Sequence, residues 1–541
     1  MAVEQQYDAL VVGTGFAGLY ELYLLKQLGL NVKAIDSAAD VGGTWYWNRY
    51  PGARSDVESH VYRYSWDKDL LKDSPWPNNY LTQPELQAYF QEVARKHDLY
   101  QHIQFNTELK EARWDESSNT WKAKVSTGEL IVVRYLVTGI GLVHKKYLPD
   151  IPGLNTFKGV ISHSASWTPE IQWKNKRIAV VGSGASGVQL SSALAESAKA
   201  LTHFIRHAQY VLPASLRPVL PEERKEINDR YEEIWNQVFA SATAFGFVEP
   251  ARPTFSVSDE EREAIFQDLW DQGNGFRFLF GGFSDLATDE AANKEAISFI
   301  HRKIKEIVKD PKKAKVLTSS DWFARRPLTD DKYYERFNQD NVFAVDLKDT
   351  PIVEITPEGI ITSDEQVHEV DLIVFATGFD ALDGSFYNIN FKGRGGKSLE
   401  EHWADGPRTH HGATTSDFPN LLIANGPGAP FSNNPPAAEE GARFLADLIA
   451  HAEEIRKTGQ GTGVIESTKE ADEEWLKAST QVANATLFSK TPSWFFGENI
   501  PGKKVSPRVF FGGLGTFRTA LAEIRANGFP GFTFGEDSAT S

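Results

Sequence analysis

The sequence predicts an α/β fold built from two similar βαβ units and a mostly helical insertion. One glycine-rich motif begins at residue 13 and a second begins at residue 182, each between an apolar run and a helix-like segment. Residues 220–320 are rich in Glu, Lys, Ala and Phe at helical spacing. These observations divide the 541 residues into two or three cooperating domains.

The first unit begins with the apolar run from Tyr7 to Val12, which enters Gly13-Thr14-Gly15-Phe16-Ala17-Gly18 and a helix-like segment. The next strand, Asn31 to Ile35, ends at Asp36. Glycines let backbone N–H groups and a helix N-terminus approach a pyrophosphate, and a carboxylate at this strand end accepts hydrogen bonds from a ribose diol. We expect FAD here, and a bare structural turn is the alternative.

The second unit runs from Lys176 to Val181 into Gly182-Ser183-Gly184-Ala185-Ser186-Gly187 and a helix. Its following strand ends at Arg206 and His207, where the first unit has a carboxylate. A guanidinium suits a 2′-phosphate, so we expect NADPH here, with a solvated surface arginine as the alternative. Two Rossmann-like dinucleotide-binding domains, for FAD and NADPH, indicate a flavin-dependent reductase or oxygenase.

The rest of the chain joins these units. Alternation from Trp114 to Val133 predicts an antiparallel strand group that covers the first sheet. The segment DLIVFATG at 371–378 predicts a further strand. We expect an FAD-binding domain formed by 1–145 and 381–541, an NADPH-binding domain formed by 146–220 and 326–380, and a helical insertion over 221–325.

Composition excludes several classes of protein. With 57 Lys and Arg against 73 Asp and Glu, the net charge of −16 repels a polyanion, so nucleic acid is not an expected partner. The absence of cysteine removes disulfides, thiolate metal sites and dithiol redox relays. The 13 His show no ligand spacing, so no metal is expected. We see no signal peptide or membrane run and expect a cytoplasmic protein without a membrane or protein partner.

A segment from Gly42 to Asp56 is unusually rich in glycine and aromatic residues. The rings of Trp45, Tyr46 and Trp47 are suited to wall an isoalloxazine, although core packing explains scattered aromatics equally well. Asp56, at the end of the segment, requires an Arg or Lys partner if it is buried.

The motifs resemble those of the NADPH- and FAD-dependent Baeyer–Villiger monooxygenases, within them the cyclohexanone monooxygenase type. Gly42 to Asp56 fits the pattern [AG]-G-x-W-x-x-x-x-[FY]-P-[GM]-x-x-x-D in full. Phe157, Gly159, His163 and Trp167 fit F-x-G-x-x-x-H-x-x-x-W, with Thr168 where the family has Pro or Asp. The resemblance extends to ATG at 376–378, RRPL at 325–328, SWFFGENIPGK at 493–503, and GNGFRFLFGGFSDLATD at 273–289.

The resemblance implies insertion of one oxygen atom from O2 next to the carbonyl of cyclic or hydrophobic ketones, giving lactones or esters. NADPH would reduce FAD, and oxygen would add at flavin C4a. An N- or S-oxidising flavin monooxygenase is the alternative, but that class usually lacks Trp167 and the arginine at 326. A non-catalytic nucleotide-binding or redox-sensing protein is a third hypothesis. The missing cysteines exclude a disulfide reductase.

The resemblance also implies roles for particular residues. Arg326 is the expected catalytic cation and Asp56 the carboxylate that orients it. Arg325 is expected at the NADPH phosphate, and Trp494 on a mobile loop near 487–504, with core packing as the alternative for Trp494. His163 and Trp167 are expected to clasp domains without touching substrate. The other expected cofactor-binding residues are Gly13, Gly15, Ala17, Gly18, Asp36, Thr44, Trp45, Tyr46, Trp47, Arg54, Ser55, Tyr62, Leu109, Gly182, Ser183, Gly184, Ala185, Ser186, Gly187, Gln189, Arg206 and His207. The expected substrate pocket consists of Leu142, Phe431, Asn434 and Phe510.

Overall fold

The computed structural model describes residues 4–535. Its strands are β1 (Glu4–Val12), β2 (Val32–Ile35), β3 (Ile103–Gln104), β4 (Leu109–Asp115), β5 (Thr120–Val125), β6 (Leu130–Thr138), β7 (Val160–His163), β8 (Arg177–Val181), β9 (Ala200–Ile205), β10 (Val211–Leu212), β11 (Leu328–Thr329), β12 (Val342–Asp346), β13 (Ile352–Thr356), β14 (Gly359–Thr362), β15 (Val367–Glu369), β16 (Leu372–Phe375), β17 (Asn390–Lys392), β18 (Leu421–Ile423), β19 (Glu466–Ser467) and β20 (Phe532–Thr533).

Its helices are α1 (Phe16–Gln27), α2 (Thr44–Trp47), α3 (Lys68–Asp73), α4 (Gln83–Lys96), α5 (Ala185–Leu194), α6 (Pro221–Asp229), α7 (Tyr231–Ala240), α8 (Asp259–Gln272), α9 (Gly275–Phe280), α10 (Glu290–Ile307), α11 (Pro311–Leu317), α12 (Tyr333–Arg336), α13 (Leu399–His402), α14 (Asn434–Thr458), α15 (Lys469–Asn484) and α16 (Gly513–Ala526). Within the described range, none of these helices has the length and apolar run that crossing a bilayer requires.

The first sheet has the strand order β17-β4-β5-β6-β1-β2-β3, and β18 also pairs with β6. Strand β1 lies parallel to β2 and β6, as the βαβ pattern predicts. The antiparallel group β4-β5-β6 is present, but it extends this sheet through β6 and does not cover it. The expectation of a cover was wrong because alternation indicates a strand but does not identify its pairing partner.

The second sheet is parallel, with the order β12-β9-β8-β16-β7. Strand β16 is buried throughout and reads as a continuous apolar run, which is typical of a parallel strand covered on both faces. The small antiparallel sheet β13-β14-β15 contributes Ile355 and Ile360 to the core on one face. On the other face, α5 packs with α8 and α10 of the helical insertion. The domain limits themselves stay a prediction.

Helix α14 contains a buried carboxylate that fixes the segment between α2 and α3. Glu439 is fully buried, and its carboxylate accepts hydrogen bonds from the backbone and hydroxyl of Ser65 at 2.5 and 2.6 Å. Arg443 donates to the same carboxylate at 3.0 Å. Burial raises the pKa of Glu439 to about 7, despite the opposing charge of Arg443.

Glu439 should make the stability of the protein depend on pH. Because the folded pKa of about 7 lies above the ordinary 4.5, its contribution is full below pH 4.5 and is lost as pH rises through 7. The free energy of unfolding should fall by on the order of 3 kcal/mol across this window. Melting temperatures at pH 5 and 7 should therefore differ less for Glu439→Gln than for the unmodified protein. Glu454→Gln, exposed on the same helix, is the control and should show the same difference in melting temperature between pH 5 and 7 as the unmodified protein. If Glu439→Gln also shows that full difference, the raised pKa of Glu439 is not its cause.

Candidate active site

A large cavity opens at the carboxyl ends of strands from both sheets. Its wall includes Val12 and Ile35 from the first sheet and Val181 and Phe204 from the second. Ligands of open α/β sheets bind at this edge. The cavity measures about 1150 Å³, larger than the roughly 300–1,000 Å³ of a typical small-ligand site. Residues of both glycine-rich motifs line the same space.

The last glycine of each motif packs a helix against its own loop. A Cβ on Gly18 would lie 1.9 Å from the carbonyl oxygen of Gly13, and a Cβ on Gly187 would lie 1.9 Å from that of Gly182. Neither Gly18 nor Gly187 lines the cavity. The structure therefore gives these two predicted binding residues a packing role, since they allow each helix to begin close to the loop.

The first turns of α1 and α5 present backbone N–H groups without a side-chain cap. The N-cap residues are Gly15 and Gly184, which have no side chain that could accept a hydrogen bond from the first turn of the helix. Both glycines line the cavity. Unpaired first-turn N–H groups and the positive end of the helix dipole suit phosphate groups at both places.

Asp36 is fixed at the end of β2, where the sequence places it. Its Oδ2 accepts hydrogen bonds from the backbone and hydroxyl of Thr14, each at 2.7 Å, and its Oδ1 accepts one from the backbone of Ala38 at 2.8 Å. The residue is 6% exposed and lines the cavity. A carboxylate has about four acceptor positions, so Asp36 retains capacity for a ribose hydroxyl.

The end of β9 has cationic groups in place of a carboxylate. Arg206 is exposed at the cavity and forms no side-chain hydrogen bond or ion pair with residues 4–535. His207 Nδ1 lies 3.5 Å from Asp321 Oδ2, and Arg325 Nη1 lies 2.7 Å from the same atom. The His207 ring and, against the effect of burial, the charge of Arg325 hold the pKa of Asp321 well below its ordinary value.

Arg326 and Asp56 form a two-point ion pair inside the cavity. Arg326 Nη1 lies 2.6 Å from Asp56 Oδ2, and Nη2 donates to Oδ1 at 2.8 Å. Burial acts to lower the pKa of Arg326, but the Asp56 charge and hydrogen bond offset it and the pKa is raised. The guanidinium side chain keeps 32% exposure, and both residues line the cavity. A permanent positive charge is thus held in a fixed orientation.

Asn274 connects this ion pair to an aromatic wall, and sequence reasoning missed it. Its amide donates to the carbonyl of Asp56 at 3.1 Å, while its Oδ1 accepts from the backbone of Phe276 at 2.9 Å. The Phe276 ring lies 5.4 Å from the Arg326 guanidinium carbon and stacks on Phe245 at 4.0 Å. The Gly-Asn-Gly turn at 273–275 was the available signal, because Asn is a preferred N-cap.

Trp494 lies on the cavity wall within a segment anchored on both sides. Arg325 Nε donates to the carbonyl of Pro492 at 3.0 Å. Further along, Lys503 pairs with Asp383 at 2.7 Å. The mobility of 487–504 and the role of Trp494 in closing over a nucleotide stay predictions. Trp494 lines the cavity, and its ring also packs 4.2 Å from that of Phe495.

Three of the four expected substrate-pocket residues line the cavity, namely Leu142, Phe431 and Asn434. Phe510 does not. Its ring packs in the core 4.7 Å from Trp475, while its backbone carbonyl accepts a hydrogen bond from the Phe431 N–H at 2.9 Å. Phe510 thus supports the pocket through Phe431 and does not contact its interior.

Tyr46, His163 and Trp167 also lie outside the cavity lining. The Tyr46 ring faces the Arg49 guanidinium at 4.0 Å. The prediction for Tyr46 was wrong, because Thr44, Trp45 and Trp47 of α2 line the cavity while Tyr46 does not. His163 Nε2 lies 3.0 Å from the carbonyl of Gly378, which agrees with the expected supporting role, and burial lowers its pKa to about 4.

The remaining predicted cofactor-binding residues all line the cavity: Gly13, Gly15, Ala17, Asp36, Thr44, Trp45, Trp47, Arg54, Ser55, Asp56, Tyr62, Leu109, Gly182, Ser183, Gly184, Ala185, Ser186, Gln189, Arg206, His207, Arg325, Arg326 and Trp494. Sequence reasoning missed Tyr50 as a wall residue. Tyr50 donates a hydrogen bond to Gln189 at 2.8 Å, and burial raises its pKa to about 12.

Comparison with known proteins identifies the family. A family model described as "FMO-like: Flavin-binding monooxygenase-like" matches residues 7–243. A Baeyer–Villiger monooxygenase of Pseudooceanicola batsensis is 44% identical over 528 residues, which cover 97% of this chain and 96% of the relative. The chain belongs to the Baeyer–Villiger monooxygenase family.

Two further relatives extend the comparison. The phenazine N-monooxygenase PhzNO1 of Lysobacter antibioticus is 44% identical, over 99% of this chain and 98% of the relative. A crystal structure of cyclohexanone monooxygenase from Rhodococcus sp. Phi1 bound to NADP+ superposes with a TM-score of 0.96 at 45% identity, covering 99% of this chain and 100% of that one. The chain is a FAD- and NADPH-dependent monooxygenase.

The cavity fits two dinucleotides. The backbone at Gly13 and Gly182 has φ of +96° and +108°, which favours glycine, and a Cβ at either position would collide with the carbonyl oxygen of Gly139 or Ala376. The uncapped N–H groups of α1 and α5 suit phosphate groups, Asp36 suits a ribose hydroxyl, and Arg206 suits a further phosphate. The placement of FAD at the loop before α1 and of NADPH at the loop before α5 stays a prediction.

Proposed function

We propose that this member of the Baeyer–Villiger family inserts one oxygen atom from O2 beside the carbonyl of cyclic or hydrophobic ketones, giving lactones or esters. The supporting observation is the Arg326–Asp56 pair in the cavity that both glycine-rich loops line. Bound FAD, reduced by NADPH, supplies activated oxygen. The side chains of the protein position the reacting groups and stabilise the charge that develops on them.

Arg326 stabilises negative charge that develops on oxygen during transfer to the carbonyl. One fixed donor of this kind typically contributes about 3–4 kcal/mol to the transition state. Asp56 keeps the guanidinium oriented through two contacts, so little reorganisation is needed when the charge forms. Because the pKa of Arg326 is raised, the cation persists throughout the working pH range.

Aromatic residues around Arg326 reduce the access of water to the site, and the side chain keeps 32% exposure. The Phe276 ring lies on one side of the guanidinium with Phe245 stacked on it, and Trp494 lies on the wall of the same cavity. Lower water content strengthens the electrostatic effect of Arg326 and limits release of hydrogen peroxide, the competing reaction.

Product analysis tests this function directly. FAD-loaded protein, NADPH and ¹⁸O-labelled O2 are incubated with ketones of five- to fifteen-membered rings, and the products are measured by mass spectrometry. We expect lactones that carry one labelled oxygen atom. Consumption of NADPH with hydrogen peroxide as the sole product, across the whole panel, contradicts the proposal.

Arg206 is proposed to bind the 2′-phosphate of NADPH. Arg206→Ala should raise the KM for NADPH about tenfold, because a charge-assisted hydrogen bond contributes roughly 1.5–3 kcal/mol. The KM for NADH, which lacks the phosphate, should stay within about twofold. Arg302→Ala, on the insertion helix α10, is the matched control. If Arg206→Ala raises the KM for NADPH and for NADH equally, Arg206 does not recognise the 2′-phosphate.

Oxidation of nitrogen is a second candidate activity, favoured by the similarity to phenazine N-monooxygenase PhzNO1. Adding phenazine and an aryl methyl sulfide to the ketone panel separates the two activities. Lactone formation that exceeds N-oxide and sulfoxide formation supports the main proposal. The cytoplasmic location and the lack of a protein partner stay predictions.

A further inference from the structure

Two asparagine side chains bond to each other on the cavity wall. Asn425 lies two residues after β18, and Asn434 is the first residue of α14. Asn425 Nδ2 donates to Asn434 Oδ1 at 2.7 Å. Both residues are half-buried and line the cavity, on either side of the loop that carries Phe431. We name Asn425 and Asn434 the amide pair.

The amide pair retains unused hydrogen-bonding groups. Within residues 4–535 neither side chain has another hydrogen-bond partner. Whichever way the two amides are turned, one N–H of the donating amide group and at least one C=O lone-pair site are left without a partner among residues 4–535. Because both residues line the cavity, these groups are available to a bound molecule.

The amide pair adjoins the aromatic wall of the cavity. Phe431, between the two asparagines in sequence, packs against the buried cluster that contains Phe245 and Phe276, and the Phe276 ring faces the Arg326 guanidinium. Asn425 follows β18, which pairs with β6 beside β1, so it lies at the same edge of the first sheet as the loop before α1. The amide pair is thus a polar patch next to the aromatic residues that surround the proposed reaction centre.

We infer that the amide pair is a specificity determinant that selects ketones with a second hydrogen-bonding group, such as a hydroxyl, remote from the reacting carbonyl. This inference rests on the proposed function. A group that both donates and accepts a hydrogen bond would satisfy the free N–H and the free C=O together. A purely hydrocarbon ketone would leave both groups without a partner from the substrate, which disfavours its binding relative to the hydroxyl ketone.

A matched pair of ketones tests the inference. 4-Hydroxycyclohexanone and 4-methylcyclohexanone differ in the group opposite the carbonyl and are similar in size. Calorimetry with the oxidised FAD-loaded protein gives each Kd without turnover, and initial rates give each kcat/KM. We expect the hydroxyl ketone to be favoured about tenfold in both measurements. The double variant Asn425→Leu/Asn434→Leu should reverse this preference.

Controls separate specificity from folding and from cofactor binding. Asn390→Leu, at an exposed position of strand β17, should leave the preference unchanged. The double serine variant, Asn425→Ser/Asn434→Ser, replaces the leucine variant if that one fails to fold, and it should bind both ketones about equally. The inference is overturned if the tenfold preference for the hydroxyl ketone persists in the double variant. It is also overturned if the double variant keeps this preference and instead shows a higher KM for NADPH or a loss of FAD. Failure of the proposed function is distinct, because then the unmodified protein converts neither ketone.

Discussion

Arg326→Ala should reduce the rate of lactone formation about 10²–10³-fold, which corresponds to the roughly 3–4 kcal/mol that one fixed donor contributes to a developing oxyanion. The rate at which NADPH reduces the bound flavin should stay within about threefold of the rate in the unmodified protein, because Asp36, Arg206 and the two phosphate loops are unchanged. Electrons from NADPH should then appear as hydrogen peroxide. Stopped-flow absorbance, product chromatography and a peroxidase-coupled assay measure these three quantities.

The change at Arg326 also leaves the Asp56 carboxylate, whose side chain is 12% exposed, without its partner, and this should lower the melting temperature. The double variant Arg326→Ala/Asp56→Asn removes the uncompensated charge and should recover most of the melting temperature. It should not recover lactone formation. If the double variant or the single one forms lactone at the normal rate, Arg326 has no part in the reaction.

Gly187→Ala should abolish use of NADPH while FAD stays bound. The added methyl carbon would lie 1.9 Å from the Gly182 carbonyl oxygen, a backbone atom that cannot move without displacing α5 from β8. The N–H groups at the start of α5 would then lose their place at the nucleotide phosphates. We expect a KM for NADPH more than about 100-fold higher, or no measurable bleaching of the flavin under anaerobic conditions.

Gly441→Ala is the matched control, because Gly441 lies within α14 and an added methyl there meets no atom closer than 3.9 Å. This variant should retain normal reduction by NADPH and an equal or higher melting temperature, since alanine favours a helix over glycine. FAD content by absorbance should be the same in both variants. Normal reduction of Gly187→Ala would contradict the packing argument.

Local chemistry made much of the site predictable from sequence. Each glycine loop lies between a strand and a helix, so Asp36 and Arg206 follow from the spacing of a βαβ unit. The pairing of Arg326 with Asp56 was expected from the family resemblance and from the partner that a buried carboxylate needs. The first two predictions depend on a short segment of chain, whereas the identity of Arg326 as the partner of Asp56, 270 residues away, was expected only because the family motifs name both residues.

Predictions failed where distant backbone segments decide the outcome. Phe510 turns away from the pocket because its backbone pairs with the strand-like segment before Phe431, leaving its ring against Trp475. The antiparallel strands join the first sheet because β6 pairs with β1, more than a hundred residues away in sequence. The bond between Asn425 and Asn434 likewise depends on the path of the loop between them, which sequence alone does not give.

Two neighbouring arginines connect the segment that carries Trp494 with the proposed reaction centre. Arg325 donates a hydrogen bond to the carbonyl of Pro492, while the adjacent Arg326 pairs with Asp56. A single peptide unit separates these two attachments. The position of the Trp494 segment and the orientation of the Arg326 guanidinium therefore share one piece of backbone, and a change at Pro492 is transmitted to Asp56 through two adjacent residues.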